Sequence, residues 1–175
     1  MRCSLGPLVI ALSAALCAGT AAAADGLSQE IIPATLRVTV DNALEVLFVN
    51  GERVALPAEG AADWTVGSTL ALQLRPGTNV IAMQCVDHGV IAGLLAELRI
   101  GPSTLVSDGS WRTTVEPHGA WWAVDHDEVG WGSAVAYGSA REGVWAGRFS
   151  GMDGIDPAAR WIWSATNQHG GPIDA

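Results

Sequence analysis

Tryptophan is the residue type whose abundance and placement most favour ligand chemistry in this sequence. Eight Trp stand against one Tyr and two Phe. An indole ring can stack its flat apolar face on the C–H face of a sugar, while its N–H finds a polar partner. Trp121, Trp122 and Trp145 lie among Gly, His and Ala in stretches that predict loops. We therefore predict that these three contact a saccharide; the alternative is that they pin the loops to the core.

Three polar residues in predicted loops could complete such a site by hydrogen bonding to sugar hydroxyl groups. Asp87 and His88 close a predicted strand, and Asn167 follows the last predicted strand. Four other tryptophans lie in turns or in that last strand and are predicted to be core residues: Trp111, Trp131, Trp161 and Trp163.

The densest group of hard metal ligands is Asp125, Asp127 and Glu128, with His126 among them. Oxygen ligands in a flexible loop suit calcium. The spacing matches no EF-hand, and carboxylates in acidic turns commonly accept backbone N–H groups instead. The sequence therefore predicts no cofactor, with calcium at these three carboxylates as the alternative.

The sequence contains no recognisable catalytic motif. It has no Gly-x-Ser-x-Gly elbow and no glycine-rich phosphate loop before a helix. Glycoside hydrolysis needs two carboxyl groups on opposite sides of a sugar, which neighbours in one turn seldom achieve. We expect a protein without enzyme activity.

The charge of the chain excludes some partners. There is no Lys, and 18 acidic residues against 9 basic ones leave a formal net charge of −9. Such a chain is repelled by the phosphates of nucleic acid and by anionic membrane surfaces. A neutral ligand is the natural expectation.

The N-terminus has the pattern of a secretory leader. A positive start precedes an apolar run at 5–16, and the small residues 21–24 offer signal-peptidase sites. The run is too short to span a bilayer, which takes roughly 20 residues. We expect residues 1–24 to be a cleaved signal peptide and 25–175 to be a secreted or periplasmic domain without membrane insertion.

The period of the apolar residues predicts β-strands. Apolar and polar residues alternate at 36–40 and 70–74. Asn50-Gly51 separates two apolar runs, which is the strongest short signal of a β-hairpin. Further strands are predicted at 80–86, 93–100 and 160–164.

Short strands at roughly ten-residue spacing, with Gly, Pro and Asn between them, are typical of a sandwich or barrel. The part from residue 107 onward is richer in Gly and Trp, so we expect long loops there. Cys85 stays alone once the leader is removed and is predicted to be a core residue. The sequence thus predicts one all-β domain of the jelly-roll or β-sandwich type.

Several motifs occur in a recognisable order: 48–54, Asp63-Trp64, 74–82, 93–98, 107–112, and the spaced Asp125, Asp127 and Trp131. In this order they resemble the galactose-binding-like jelly-roll domains of bacterial alpha-L-rhamnosidases. The resemblance covers about residues 36–131 and implies a β-sandwich whose relatives often bind sugars, sometimes with calcium. The catalytic barrel that accompanies such domains is missing from this sequence, so the resemblance implies no hydrolysis.

These observations favour a secreted, non-catalytic, lectin-like module whose partner is a saccharide or a glycan surface. The alternative is a structural or adhesive extracellular β-sandwich that binds a protein partner. A third interpretation is an accessory domain of a glycoside hydrolase system.

Overall fold

The computed structural model describes residues 8–16, 30–89 and 91–165 of the chain. In chain order its elements are β1 (Leu8–Leu16), β2 (Ile32–Asp41), β3 (Ala43–Val49), β4 (Glu52–Val54), the helical turn α1 (Ala58–Ala61), β5 (Ser68–Leu74), β6 (Gly77–Val86), β7 (Gly93–Ile100), β8 (Ser103–Val106), β9 (Arg112–Thr114), β10 (Gly132–Ser133), β11 (Val135–Ser139), the 3-10 turn η1 (Gly143–Trp145) and β12 (Arg160–Trp163). No helix among the described residues is long and apolar enough to cross a membrane.

The strands form two antiparallel sheets. Sheet A has the spatial order β10-β9-β1-β6-β3-β4, and sheet B has the order β11-β12-β7-β2-β5, with β8 also paired to β7. One core cluster contains buried residues of both sheets, such as Leu36 and Leu72 of sheet B and Leu47 and Met83 of sheet A. The all-β prediction is confirmed, and the two sheets pack face to face as in a β-sandwich.

Side-chain alternation explains why these stretches became strands of a sandwich. Along β5 the residues are buried and exposed in strict turn, from buried Ser68 to buried Leu74. A period of two places every second side chain on the same face of a sheet. β2 and β5 are therefore held in register by their apolar faces, with Leu36 opposite Leu70.

The predicted hairpin is present and joins β3 to β4. Asn50 and Gly51 have φ angles of 52° and 85°, the left-handed pair that a tight two-residue hairpin requires. Asn50 also receives a hydrogen bond from the Val80 backbone N–H and donates one to the buried Asn79 side chain. The hairpin is thereby fixed to the start of β6.

The part after residue 107 consists of long loops and short strands, as the sequence predicted. Its last strand, β12, returns to sheet B between β11 and β7. Trp161 and Trp163 of this strand are buried, as are Trp111 and Trp131, so these four tryptophans are core residues as predicted.

Cys85 is fully buried in β6 and belongs to the core cluster. Burial raises the pKa of its thiol far above the ordinary range, and the charge of Glu45 raises it further. The prediction that this cysteine is a packing residue is confirmed.

Strand β1 lies in the interior of sheet A, between β6 and β9. It pairs along β6 from Leu8 opposite Cys85 to Leu16 opposite Gly77, and three of its residues also pair with β9. This strand falls inside the segment predicted to be a signal peptide. Cleavage of residues 1–24 stays a prediction.

Candidate ligand-binding site

A group of polar residues gathers at the end of the sandwich where β2 and β6 finish and β7 begins. Asp41, the last residue of β2, is paired in register with Gly93, the first of β7. The loop after β6 is tied to the same place, because the His88 backbone N–H donates to the Asn42 side-chain oxygen at 2.6 Å. We call Asp41, Asn42, Asp87, His88 and Trp145 the end cluster.

Trp145 closes the end cluster from the η1 turn. Its indole N–H donates a hydrogen bond of 2.9 Å to Asp41 Oδ2, across 104 positions of sequence. Its ring stacks on Trp161 with centroids 4.5 Å apart. Gly93 makes this possible, since a Cβ there would lie 2.8 Å from both indole rings.

The charge of Asp87 acts on the Asp41 carboxyl group. Burial raises the pKa of Asp41 above its ordinary value of 3.8; the hydrogen bond from Trp145 opposes the rise, and the negative charge of Asp87 adds to it. Two buried carboxylates at one end of the sandwich favour a ligand that brings hydrogen-bond donors.

Asp87 supplies the unsatisfied group of the cluster. Its side chain is 8% exposed. Its Oδ1 accepts a hydrogen bond from the Gly89 backbone N–H, whereas its buried Oδ2 has no hydrogen-bond partner within the described part of the chain. A buried acceptor without a partner costs about 1–3 kcal/mol of free energy. A ligand hydroxyl that donates a hydrogen bond to this oxygen would recover a free energy of that order. His88 is exposed next to it.

Of the predicted sugar-binding residues, Asp87, His88 and Trp145 therefore meet in one place. Trp145 is 2% exposed, so its ring offers no free face to a sugar and instead supports Asp41. The indole fills the space that Gly93 leaves open, and contact of Trp145 with a saccharide stays a prediction.

Trp121 and Trp122 lie elsewhere, in a cluster with Val80 and Ala82 of β6. Trp122 stacks on Phe48 at a centroid distance of 5.0 Å, and Trp121 meets Phe48 edge to face at 5.5 Å. Trp121 is buried and Trp122 half-buried. The pair holds its loop against sheet A and does not join the end cluster, which is the alternative that the sequence left open.

Asn167 lies outside the described residues. The predicted calcium ligands are described, and they do not converge. Asp127 accepts the Val129 backbone N–H, Glu128 faces the Arg112 guanidinium at 3.8 Å, and Asp125 is exposed. Within the described chain, no three His, Cys, Asp or Glu side chains form a group that could hold a metal ion. Asp127 thus caps the backbone of its own turn, and calcium binding stays an untested alternative.

Two open pockets of about 200 Å³ lie away from the end cluster. One is beside the hairpin and includes Arg53 and Gln73. The other includes Arg141, Phe149 and Asp153. Neither contains a residue that the sequence predicted to bind a ligand.

Sequence reasoning missed Asp41 and Asn42. A signal existed, since a carboxylate and an amide directly follow an alternating strand and precede the hairpin. This pattern looks the same as an ordinary turn in the sequence, because Trp145, the hydrogen-bond partner of Asp41, lies 104 positions away.

The fold is of the galactose-binding-like β-sandwich class, as comparison with solved structures shows. Among solved structures, the chain is similar to a lectin from Pleurotus ostreatus in complex with GalNAc, with a TM-score of 0.66, 21% identity, and 85% of this chain and 42% of that chain covered. The apo form of that lectin aligns with a TM-score of 0.63 at 22% identity over 83% of this chain and 40% of that one.

A GH78 family rhamnosidase of Bacillus sp. GL1 aligns with a TM-score of 0.59 at 26% identity, over 81% of this chain and 18% of that one. The chain thus spans less than half the length of each of these proteins. No protein-family model matches the sequence. No curated protein matches it either. The predicted resemblance to the rhamnosidase domains is confirmed at the level of the fold.

Proposed function

We propose that this chain is a non-catalytic carbohydrate-binding module that is exported from the cytoplasm and binds a neutral saccharide at the end cluster. The observation that carries the proposal is the buried Asp87 carboxylate, one oxygen of which has no hydrogen-bond partner among the described residues, beside the exposed His88. Sugar hydroxyl groups are donors of the kind that such an oxygen accepts, and a neutral sugar brings no charge into a site that already holds two carboxylates.

The fold supports this proposal by analogy. One similar structure is a lectin in complex with GalNAc, and the loops at one end of a β-sandwich are where such domains commonly carry their ligand sites. Analogy of fold alone does not establish function. The chemistry of the end cluster is therefore the part that an experiment must address.

The test is calorimetric titration of the exported protein with GalNAc, galactose, rhamnose and glucose. We expect saturable binding of at least one sugar, and a loss of about tenfold or more in affinity in Asp87→Asn, since the charged acceptor is removed while the shape is kept. Asp153→Asn is the matched control, because it removes an exposed carboxylate that belongs neither to the end cluster nor to the acidic turn. Its affinity should equal that of the wild type.

Equal loss in both variants would refute the assignment to the end cluster. If the folded wild-type protein shows no heat of binding with any of the four sugars, sugar binding is refuted for these ligands. Repeating the titration with EDTA tests calcium, and unchanged affinity would remove the calcium alternative.

A structural or adhesive role with a protein partner is the second candidate. It is favoured by the burial of the tryptophans, since all eight are buried or half-buried. Indole rings that pack loops stabilise the sandwich without any ligand. Under this role none of the sugars binds in the calorimetric titration, and the exported protein binds the surface of another protein. A role as an accessory domain of a glycoside hydrolase would appear as binding to that enzyme or to its polysaccharide.

A further inference from the structure

The interior of sheet A depends on a strand that the sequence predicts to be removed. β6 and β9 are not paired with each other; both pair with β1. Neighbouring strands lie about 4.8 Å apart, so β6 and β9 are separated by about twice that distance. Taking β1 away leaves a slot one strand wide.

The slot has a defined chemistry. Leu8, Ile10 and Leu12 are the register partners of Cys85, Met83 and Ile81. These three partners are 0–2% exposed and belong to the core. An empty slot would leave without partners the backbone groups of β6 that face β1, together with those of the three β9 residues paired to it, and would open the core to water. Each of these effects is costly.

Neither residues 25–29 nor residues 166–175 have a sequence suited to replace β1. Residues 25–29 are too few to match a nine-residue strand, and they lead into β2 of the other sheet. Residues 166–175 include Gly170-Gly171-Pro172, and Gly and Pro are poor in the interior of a sheet.

We propose that, after removal of residues 1–24, the slot between β6 and β9 takes one extended strand from a partner polypeptide. The inserted strand runs antiparallel to β6 and carries aliphatic residues at alternate positions, as Leu8–Leu16 does. Addition of a strand to a sheet is an established mode of protein recognition, in which backbone hydrogen bonds give affinity and alternate side chains give specificity. The proposal rests on leader cleavage and is independent of sugar binding.

The experiment uses the full chain expressed through a bacterial secretory pathway, with the N-terminus of the exported protein read by intact mass. A peptide of residues 8–16, flanked by lysines for solubility, is then titrated into it. We expect saturable binding of one peptide per protein, a rise in Tm, and slower amide hydrogen exchange along β6 and β9.

Two peptide variants distinguish register-specific insertion from non-specific hydrophobic binding. Ile10→Asp places a charge opposite the fully buried Met83 and should weaken binding by about tenfold or more. Ala15→Asp places the same charge opposite the exposed Thr78 and should bind nearly as well as the parent peptide.

Three outcomes overturn the proposal. The first is an exported protein that keeps residues 1–24, and the second is equal binding of both peptide variants. The third is a cleaved protein that binds no peptide and whose β6 and β9 amides are already protected from exchange. Where the cleaved protein is unfolded alone, the peptides are added during refolding. Recovery of native near-UV circular dichroism with the parent peptide, and not with Ile10→Asp, supports the proposal, and failure of the parent peptide to restore it overturns it.

Discussion

The Asp41 carboxylate is largely shielded from water at the end of β2, where it accepts a hydrogen bond from Trp145 and faces the charge of Asp87. Burial disfavours the ionised form, and this effect outweighs the stabilising hydrogen bond, so the pKa is raised. The end cluster is thus an electrostatically unfavourable place for a carboxylate. Such places are more typical of ligand sites than of ordinary structural turns.

This shift predicts a pH dependence of stability. Because the pKa of Asp41 is higher in the folded protein than in the unfolded chain, the contribution of this group is fully present below about pH 3.8 and is lost as the pH rises through its folded pKa. Asp41→Asn stays neutral and can still accept the Trp145 N–H. We therefore expect the Tm of the variant, relative to wild type, to increase as the pH rises from about 3 to about 7.

Differential scanning calorimetry of both proteins across this range measures the effect. Asp63→Asn is a useful contrast, because the hydrogen bonds from Thr65 lower the pKa of Asp63, so this change should move the relative Tm in the opposite direction. A difference between Asp41→Asn and wild type that is the same at every pH would contradict the argument.

Residue-level chemistry was predictable where it is local and was missed where it depends on distant partners. Asp87 and His88 were predicted as ligand residues because they close a strand in the sequence. The structure brings them to the end cluster, and their contact with a ligand stays a prediction. Trp145 was assigned to ligand contact, yet its ring is buried, because the space at Gly93 and the acceptor at Asp41 come from other strands.

At the scale of the elements, a buried ionic link joins β7 and β2 to the long loop before β12. Glu97 is fully buried and pairs with Arg99 at 2.6 Å and with Arg37 at 3.6 Å. Its other oxygen accepts the Asp156 backbone N–H at 2.6 Å. This loop has little regular structure, so such links hold it against sheet B.

Glu97→Ala is expected to lower the free energy of unfolding by about 2 kcal/mol or more, because it removes a buried acceptor and two charge partners. Glu52→Ala is the matched control. Glu52 pairs with Arg75 at 3.0 Å on the surface, where both side chains are well exposed, and an exposed pair contributes about 1 kcal/mol or less. Urea denaturation followed by tryptophan fluorescence measures both. Equal effects would show that Glu97 does not hold the loop.

The strands themselves were largely predictable, because alternation and turn residues act within a few positions. The β3–β4 hairpin, β5, β6, β7 and β12 all fall where the sequence indicated. The order of strands in the sheets was not predictable, since β12 pairs with β7 across more than sixty residues and nothing local encodes that choice.

At the scale of the whole molecule, the chain relies on packing without a disulfide in the described region. Cys85 is the free cysteine there and is fully buried, and burial raises the pKa of its thiol. A protonated, inaccessible thiol does not react with alkylating or disulfide reagents. Its reactivity is therefore a reporter of global unfolding.

We expect the exported protein to show no reactive thiol under native conditions and one reactive thiol per chain after denaturation. The full chain has three cysteines, so a retained leader would give three. Thiol titration with and without guanidinium chloride, read against intact mass, measures this. A thiol of the cleaved protein that reacts at full rate under native conditions would contradict the burial of Cys85.

The sequence by itself determined the all-β class, the hairpin, the buried cysteine and the long loops, because each follows from a period or a turn signal within a few residues. Only the tertiary structure brought Trp145 to Asp41, set Asp87 beside them, and packed Trp121 and Trp122 against sheet A. These contacts join residues that are tens of positions apart, and they depend on the order of strands in two sheets. That order arises from the burial of all apolar faces at once, which no local pattern in the chain contains.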